Sequence, residues 1–188
     1  MKELLLKSRN FSVVREHFDP ETAGVEKTIE YVEQPCVVIA VPVLDDGQII
    51  LVEHLRPILG TTLLECPGGK VDSGEDLESS ITRELQEEIG YTPGELEYIS
   101  YLYSSVGSST EKIHLFVARK LSPHVRKPED AKRMQIKQRT AENVLRLLQS
   151  NRIHDGKTEI ALYKYFSRCV ATIGELGIAT NVEIDGDF

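Results

Sequence analysis

The pattern of apolar and polar positions predicts short strands in the first part of this chain. Two β-branched runs, PCVVIAVPVL (35–44) and QIILVEHLR (48–56), flank Asp45-Asp46-Gly47, which predicts a β-hairpin with a tight turn. TTLLECPGG (61–69) predicts another strand, ending at a pair of glycines. LEYISYLYSS (96–105) and EKIHLFVARKL (111–121) predict two further strands, joined by the loop that contains SVGSST.

A helix is predicted over residues 76–89, where apolar side chains recur at every fourth position. Ser73, with Asp76 three residues later, resembles a capping box, and Gly90 fits the position just beyond a helix C-terminus. The apolar stripe of this helix consists of Leu77, Ile81, Leu85 and Ile89.

Two more helices are predicted near the end of the chain, over residues 139–150 and 155–173. HVRKPEDAKRMQIKQR (124–139), which precedes them, is a mixed charged stretch. We interpret it as a solvated loop or helix face, or alternatively as a basic rim that guides an anionic substrate. The apolar positions with helical spacing are Val144, Leu147, Leu148, Ile160, Leu162, Tyr163 and Phe166.

The two ends of the chain differ from its centre. Residues 1–34 alternate weakly and predict two strands joined by a turn at DPETAG (19–24). Residues 174–188 are glycine-rich and acidic, and we expect a loose tail. The predicted organisation is an N-terminal strand segment (1–34), one α/β domain with a mixed sheet (35–173) and the tail.

Composition and charge argue against several classes of partner and site. The formal net charge is −8 over 188 residues, so a nucleic acid is not an expected partner, whereas a small phosphorylated ligand is possible if metal ions supply positive charge. The three cysteines are far apart and have neither disulfide nor zinc-ligand spacing. No apolar run reaches the length of about 18 residues that a membrane span needs. We therefore expect a cytoplasmic protein that does not interact with membranes.

The helix over 76–89 carries an unusual group of carboxylates beside Arg83. With about 100° per residue, Glu84 and Glu88 lie at the edge of the apolar stripe, and Glu87 lies just beyond them. A merely solvated acidic face would instead point away from the core. Carboxylates at a core boundary need positive charge, and a hard divalent cation such as Mg2+ suits a cluster of oxygen donors. Because Mg2+ commonly adds substrate phosphates to its ligands, the cluster indicates phosphate chemistry.

The same residues match a known sequence pattern. Gly69, five residues, Glu75, seven residues, Arg83-Glu84-Leu85, one residue, Glu87-Glu88, one residue and Gly90 reproduce the Nudix box, with Tyr91 where a small aliphatic residue is usual. The chain is thus identified as resembling the Nudix hydrolases. Segments 52–75, 104–121 and 155–165 resemble the ADP-ribose pyrophosphatase and nucleotide-sugar hydrolase branch, and the resemblance covers about residues 35–170.

The resemblance implies a fold and a reaction. The fold would be an α/β/α sandwich around a mixed β-sheet, with an N-terminal β-strand extension that often crosses to the partner in a homodimer. The reaction would be Mg2+-dependent (Mn2+ possible) cleavage of the pyrophosphate bond of ADP-ribose to AMP and ribose 5-phosphate. Val106 stands where ADP-ribose enzymes commonly carry proline, so hydrolysis of a GDP-sugar or another nucleotide sugar is an alternative. A catalytically silent, nucleotide-binding regulator is the alternative from a different class.

The resemblance also implies roles for individual residues. Arg83 would orient the glutamates of the box, with Glu75 as its partner. Glu111 would activate water or bind a further metal, and the general base is either Glu111 or a box glutamate. The substrate-binding candidates are Arg56, near the phosphates, and Gly107. The metal ligands would be the Gly68 carbonyl, Glu84, Glu87 and Glu88.

Overall fold

The computed structural model of the protein describes residues 2–24, 26–125 and 134–175. In chain order, the strands and helices of these residues are β1 Lys2–Lys7, β2 Ser12–Phe18, α1 Pro20–Ala23, β3 Lys27–Glu33, β4 Val37–Pro42, β5 Ile49–Arg56, β6 Thr61–Glu65, β7 Gly68–Lys70, α2 Leu77–Ile89, β8 Tyr91–Tyr103, β9 Lys112–Pro123, β10 Met134–Arg139, α3 Ala141–Gln149 and α4 Gly156–Glu175.

The described strands form three sheets. A four-stranded sheet has the order β7-β4-β9-β8, in which β4 and β9 are parallel and the other pairs antiparallel. A three-stranded antiparallel sheet has the order β10-β5-β6. The N-terminal strands form a separate antiparallel sheet in the order β1-β2-β3. The mixed sheet with an N-terminal strand extension is therefore confirmed.

Helices cover both faces of the central strands. Val38 and Ala40 of β4 pack with Ile81 and Leu85 of α2, whereas the intervening Ile39 belongs to the core beneath α3 and α4. All six residues of β4 are buried, which explains its unbroken apolar run, because a strand covered on both faces has no polar face. The predicted α/β/α sandwich is confirmed.

The predicted hairpin around Asp45-Asp46-Gly47 is wrong in its pairing. Both strands and the turn exist, and Leu44 N donates to Gln48 O at 2.8 Å. However, β4 and β5 belong to different sheets and pair only at the isolated bridge between Val43 and Ile49 among the described residues. Because β4 pairs with β7 and β9 on its two edges, it has no edge left for β5.

Several other elements also differ from the predictions. Strand β1 was not predicted, because KELLLK is exposed throughout and lacks alternation. Within the charged stretch 124–139, residues 126–133 lie outside the described residues, while Met134–Arg139 forms β10 against β5 instead of a loop or helix face. In α4, Ile160 and Tyr163 are exposed, although they have helical spacing with buried Leu162.

The predicted C-terminal tail begins within helix α4. Helix α4 continues to Glu175, and residues 176–188 of the predicted tail lie outside the described residues.

Across the residues that the structure describes, no helix has the length and apolar composition needed to cross a membrane.

Candidate active site

Helix α2 is fixed at both ends by residues that its sequence provides. Asp76 is the N-cap, and its carboxylate accepts the N–H of Ser79 at 2.8 Å. Gly90 ends the helix in the left-handed conformation (φ 73°), and its N–H donates to Leu85 O. The cap predicted at Ser73 is thus wrong, while the predicted glycine C-terminus is confirmed. Buried Ile81, Leu85 and Ile89 anchor the helix, so its glutamates are held at one edge of the sheet.

The glycine pair forms strand β7 and lies against α2, rather than forming a turn. Gly68 N donates to Glu88 Oε2 at 2.8 Å. A side chain at Gly68 would overlap the Val38 carbonyl oxygen, and one at Gly69 would overlap the Glu84 carboxylate. Glycine at position 68 is therefore needed for β7 to approach β4 this closely, and glycine at position 69 leaves room for the Glu84 carboxylate.

Arg83 connects the loop before α2 with the carboxylates on the helix. Its Nε and Nη2 donate to the two oxygens of Glu75 at 3.1 and 3.0 Å. Nη1 donates to Glu84 Oε1 at 2.7 Å and lies 3.5 Å from Glu87 Oε2, while Nη2 also reaches Lys70 O at 3.0 Å. The predicted Arg83–Glu75 pair is present, and Arg83 orients Glu84.

Burial raises the pKa values of some carboxyl groups in this site, and nearby positive charge lowers the pKa of another. Glu88 is only 8% exposed, and burial raises its pKa to about 8. Burial also raises the pKa of Glu84, against the opposing effect of Arg83. Hydrogen bonds from Arg83 lower the pKa of Glu75 to about 2. Glu75 is thus an anion at neutral pH and holds Arg83, whereas Glu84 and Glu88 lack enough compensating positive charge.

A cavity of about 590 Å³ opens beside β7 and α2. Of the residues predicted for the site, Arg56, Gly68, Glu88 and Glu111 line this cavity. They come from β5, β7, α2 and the loop before β9, so the fold brings together positions far apart in sequence. The Glu111 N–H donates to Ser109 Oγ at 3.1 Å, which fixes the loop where Glu111 enters the cavity.

The other predicted residues lie outside the cavity lining. Glu75, Arg83, Glu84 and Glu87 lie in and before α2, where they contact one another. Gly107 lies in the loop between β8 and β9, and a side chain placed there would meet nothing within 4 Å. The structure therefore does not bring Gly107 to the cavity, and its predicted substrate contact has no support from the geometry.

Sequence reasoning missed a charged group on the cavity wall. Asp155 and Lys157, at the start of α4, line the cavity together with Arg56, and buried Glu65 contacts both Arg56 and Lys157. Glu65 is the residue from which this group could have been predicted, because a carboxylate at the end of the apolar strand TTLLE requires a cationic partner. The partner's identity depends on the fold, since Lys157 is 92 residues away.

The donor atoms at this site suit a hard divalent cation. Glu88 is a buried carboxylate that accepts one hydrogen bond, from Gly68, and has no ion pair within the described ranges. Largely buried Glu84 lies one helical turn away. No three His, Cys, Asp or Glu side chains of the described residues form a ready-made metal site, and Arg83 lies beside both Glu84 and Glu87. The chemistry of the donors fits the cation, although the complete ligand set is not preassembled.

Comparisons with known proteins agree with this fold. A profile of the NUDIX domain matches residues 34–155. The chain is 36% identical over 135 residues to an ADP-ribose pyrophosphatase of Bacillus subtilis (strain 168), covering 71% of this chain and 73% of the relative. It is 33% identical over 139 residues to a methanol dehydrogenase activator of Bacillus methanolicus, with the same coverage of 71% and 73%.

A solved structure supports the fold independently. The crystal structure of an ADP compounds hydrolase matches with a TM-score of 0.77 and 22% identity, over 92% of this chain and 93% of that one. At this identity the match concerns the architecture alone. It extends the likeness over most of the chain, including regions outside the NUDIX match.

Proposed function

The chain belongs to the NUDIX domain family, and we propose that it is a Mg2+-dependent hydrolase that cleaves ADP-ribose to AMP and ribose 5-phosphate. One observation carries the proposal: a single cavity brings Glu88 and Glu111 together with the cations Arg56 and Lys157. Such a site combines oxygen donors for a metal with cations for phosphate groups. The relative named ADP-ribose pyrophosphatase supports the choice of substrate.

The residues divide the work of this reaction. Glu84, Glu87, Glu88 and the Gly68 carbonyl would hold Mg2+, or Mn2+ in its place. When bound, the cation supplies positive charge to the phosphate oxygens and makes water easier to deprotonate. Arg83 keeps Glu84 in place through the bond at 2.7 Å.

Arg56 and Glu111 are proposed to act on the substrate and on water. Arg56 would hold the diphosphate group by charge-assisted hydrogen bonds. A water oxygen attacks one phosphorus while the bridging P–O bond breaks, which leaves one phosphate on each product. Glu111, which lines the cavity, would accept the water proton, and a box glutamate is the alternative base.

A substrate panel tests the proposed function directly. The protein is incubated with MgCl2 and ADP-ribose, GDP-sugars, other nucleotide sugars, NADH or nucleoside triphosphates, and nucleoside monophosphate release is quantified by chromatography. We expect the highest kcat/KM with ADP-ribose. Preference for a GDP-sugar would support the nucleotide-sugar alternative, whereas a rise in Tm with ADP-ribose but no turnover would identify a nucleotide-binding regulator.

We further propose that the protein is a homodimer joined through its N-terminal strands. Leu4 and Leu6 of β1 are 57% and 49% exposed, and Phe11 in the following turn is also exposed. Several large apolar side chains on one small sheet are typical of an interaction surface. A second copy of the chain would cover them.

A cytoplasmic location is the remaining part of the proposal. Cys36, Cys66 and Cys169 are free thiols, as expected in a reducing compartment. Microscopy of a fluorescently tagged protein tests this location, and a signal confined to a secretory compartment would contradict it.

A further inference from the structure

Glu65 is a buried carboxylate that contacts two cations of the cavity wall. It is 2% exposed and ends β6. Arg56 Nε and Nη2 donate to its two oxygens at 2.7 and 2.5 Å, and Lys157 Nζ donates to Oε2 at 3.2 Å. Burial alone would raise the pKa of Glu65, but Arg56 and Lys157 outweigh it and lower the pKa. Glu65 is therefore an anion that joins β5 to α4.

The first turn of α4 holds Lys157 from its other side. Lys157 Nζ donates to Asp155 Oδ1 at 2.6 Å. Asp155 Oδ2 in turn accepts the N–H and the hydroxyl of Thr158 at 3.1 and 2.5 Å, and Thr158 Oγ1 accepts the Cys66 N–H at 2.8 Å. Because Cys66 directly follows Glu65, this chain of bonds sets the distance between Lys157 and its buried partner.

The cations lie in front of their buried partner. Arg56 and Lys157 line the cavity and their side chains are 39% and 22% exposed, whereas Glu65 does not line it. Both oxygens of Asp155, which also lines the cavity, already accept hydrogen bonds. An anion that enters the cavity therefore meets the guanidinium and ammonium groups on this wall.

Neutralising Glu65 does not by itself require Lys157. Arg56 already forms two parallel hydrogen bonds with both carboxylate oxygens, which is the strongest arrangement for such a pair. Lys157 is a second cation at Glu65, and it also forms an ion pair with Asp155 at 2.6 Å. A diphosphate carries more than one negative charge, so a second cation beside Arg56 matches the charge of the ligand better than Arg56 alone.

We propose that Lys157 is a second cationic residue of the diphosphate subsite, and that Glu65 is the positioning residue that holds Lys157 and Arg56 at the cavity surface. The inference rests on the proposed function, because it takes the ligand to be the diphosphate of ADP-ribose. Neither residue belongs to the Nudix box.

Substitution of Lys157 tests the subsite. Lys157→Met keeps most of the side-chain length without the charge, and Lys157→Arg keeps the charge. We expect Lys157→Met to raise the KM for ADP-ribose about tenfold or more, with a smaller effect on kcat, and Lys157→Arg to recover most of the loss. Lys164→Met is the matched control, because Lys164 is an exposed residue on the same helix and outside the cavity lining.

A double-mutant cycle tests the positioning role of Glu65. Glu65→Gln should lower kcat/KM by acting through its two cations. In an Arg56→Ala, Lys157→Met background the same substitution should therefore have a much smaller effect, whereas a residue that acts only on overall stability would give additive effects. If Glu65→Gln does not fold, the Lys157 variants still decide the proposal.

The outcomes distinguish this proposal from the proposed function. If the wild type hydrolyses ADP-ribose and Lys157→Met leaves KM unchanged, the subsite is overturned and the function stands. If the wild type does not hydrolyse ADP-ribose, the proposed function fails, and the rise in Tm with ADP and MgCl2 decides the subsite. A smaller rise in Lys157→Met than in the wild type supports it, and an equal rise or none in either protein overturns it.

Discussion

Glu88 is a buried carboxylate at the proposed metal site. It lies in the last turn of α2, where its carboxylate accepts the Gly68 N–H, in surroundings that favour its neutral form. The proposed metal would provide the missing positive charge. A residue with this conflict is expected to serve activity more than stability.

We predict that Glu88→Gln separates these two properties. The amide oxygen can still accept the Gly68 N–H, and no buried charge needs compensation, so the urea midpoint without metal should be unchanged or higher. Turnover of ADP-ribose with MgCl2 should fall by about two orders of magnitude or more, because a charged ligand is lost. Full activity in this variant would contradict the assignment of Glu88 to the metal site.

Glu75 has the opposite character, and its effect should appear in acid. Arg83 lowers its pKa from 4.5 to about 2, so the folded state binds the proton less tightly than the unfolded state. The ion pair therefore stabilises the fold at pH values above 4.5, and this contribution is lost as the pH falls from 4.5 toward 2.

We predict that Glu75→Gln lowers Tm at pH 7 and flattens its dependence on pH between 5 and 3, since this carboxylate no longer titrates. Thermal melts of both proteins across that range provide the measurement. Glu78→Gln is the control, as Glu78 also lies near the start of α2 but has no ion pair among the described residues. Parallel curves for wild type and Glu75→Gln would contradict the prediction.

Residue identities were predictable where local spacing carried the information. Glu84, Glu87 and Glu88 are close in sequence, and the helical period places them near one another before any tertiary contact forms. Glu65 and Lys157 were missed because they meet only after β6 and α4 pack, 92 residues apart. Gly107 was assigned by resemblance alone, and it is not among the residues that line the cavity.

Strand β7 shows how an element can depend on two glycines for different reasons. A side chain at Gly68 would overlap backbone of β4, which cannot move without disturbing the sheet. A side chain at Gly69 would overlap the end of the Glu84 side chain, which can rotate away. Gly68 is therefore needed for the fold, whereas Gly69 is needed for the position of Glu84 in the site.

We predict different effects for the two alanine variants of β7. Gly68→Ala should lower the free energy of unfolding by about 1–3 kcal/mol, as expected for an overpacked core. Gly69→Ala should cost less stability but lower kcat, because Glu84 must leave its place beside Arg83. Urea unfolding and turnover of both variants test this, and equal stability losses would show that the displaced Glu84 side chain is as costly as displaced backbone.

The sequence predicted which segments form strands or helices more accurately than it predicted which strands pair with each other. Apolar runs correctly predicted β4 and β5, but sequence neighbours at a tight turn need not share a sheet. Strand β10 was missed because its charged residues conceal the pairing with β5, in which Met134 opposes His54 and Arg139 opposes Ile49. Pairing depends on the edges that remain available in the assembled sheet, which local patterns do not contain.

At the scale of the whole molecule, the N-terminal sheet is distinct from the sandwich. Its strands pair only with one another, and a single bridge between Val32 and Ser109 joins β3 to the loop beside the cavity, as far as the described residues go. Residues 1–34 were predicted as an extension, and the division between 35–173 and the tail remains a prediction. This sheet buries few side chains, so we propose that it gains apolar burial from a second copy of the chain.

The dimer proposal therefore predicts that one charge on β1 is enough to alter assembly. Leu4→Glu places a carboxylate where the partner would bury the 57% exposed leucine, and desolvating that charge opposes association. We expect sedimentation equilibrium to give a dimer for the wild type and a monomer, or a much weaker dimer, for Leu4→Glu. Lys27→Gln on β3 is the control, because it changes the net charge by the same amount at an exposed polar position. If the wild type is monomeric, or if Leu4→Glu dimerises equally well, then the exposed leucines of β1 do not form the interface of a homodimer and the proposal is overturned.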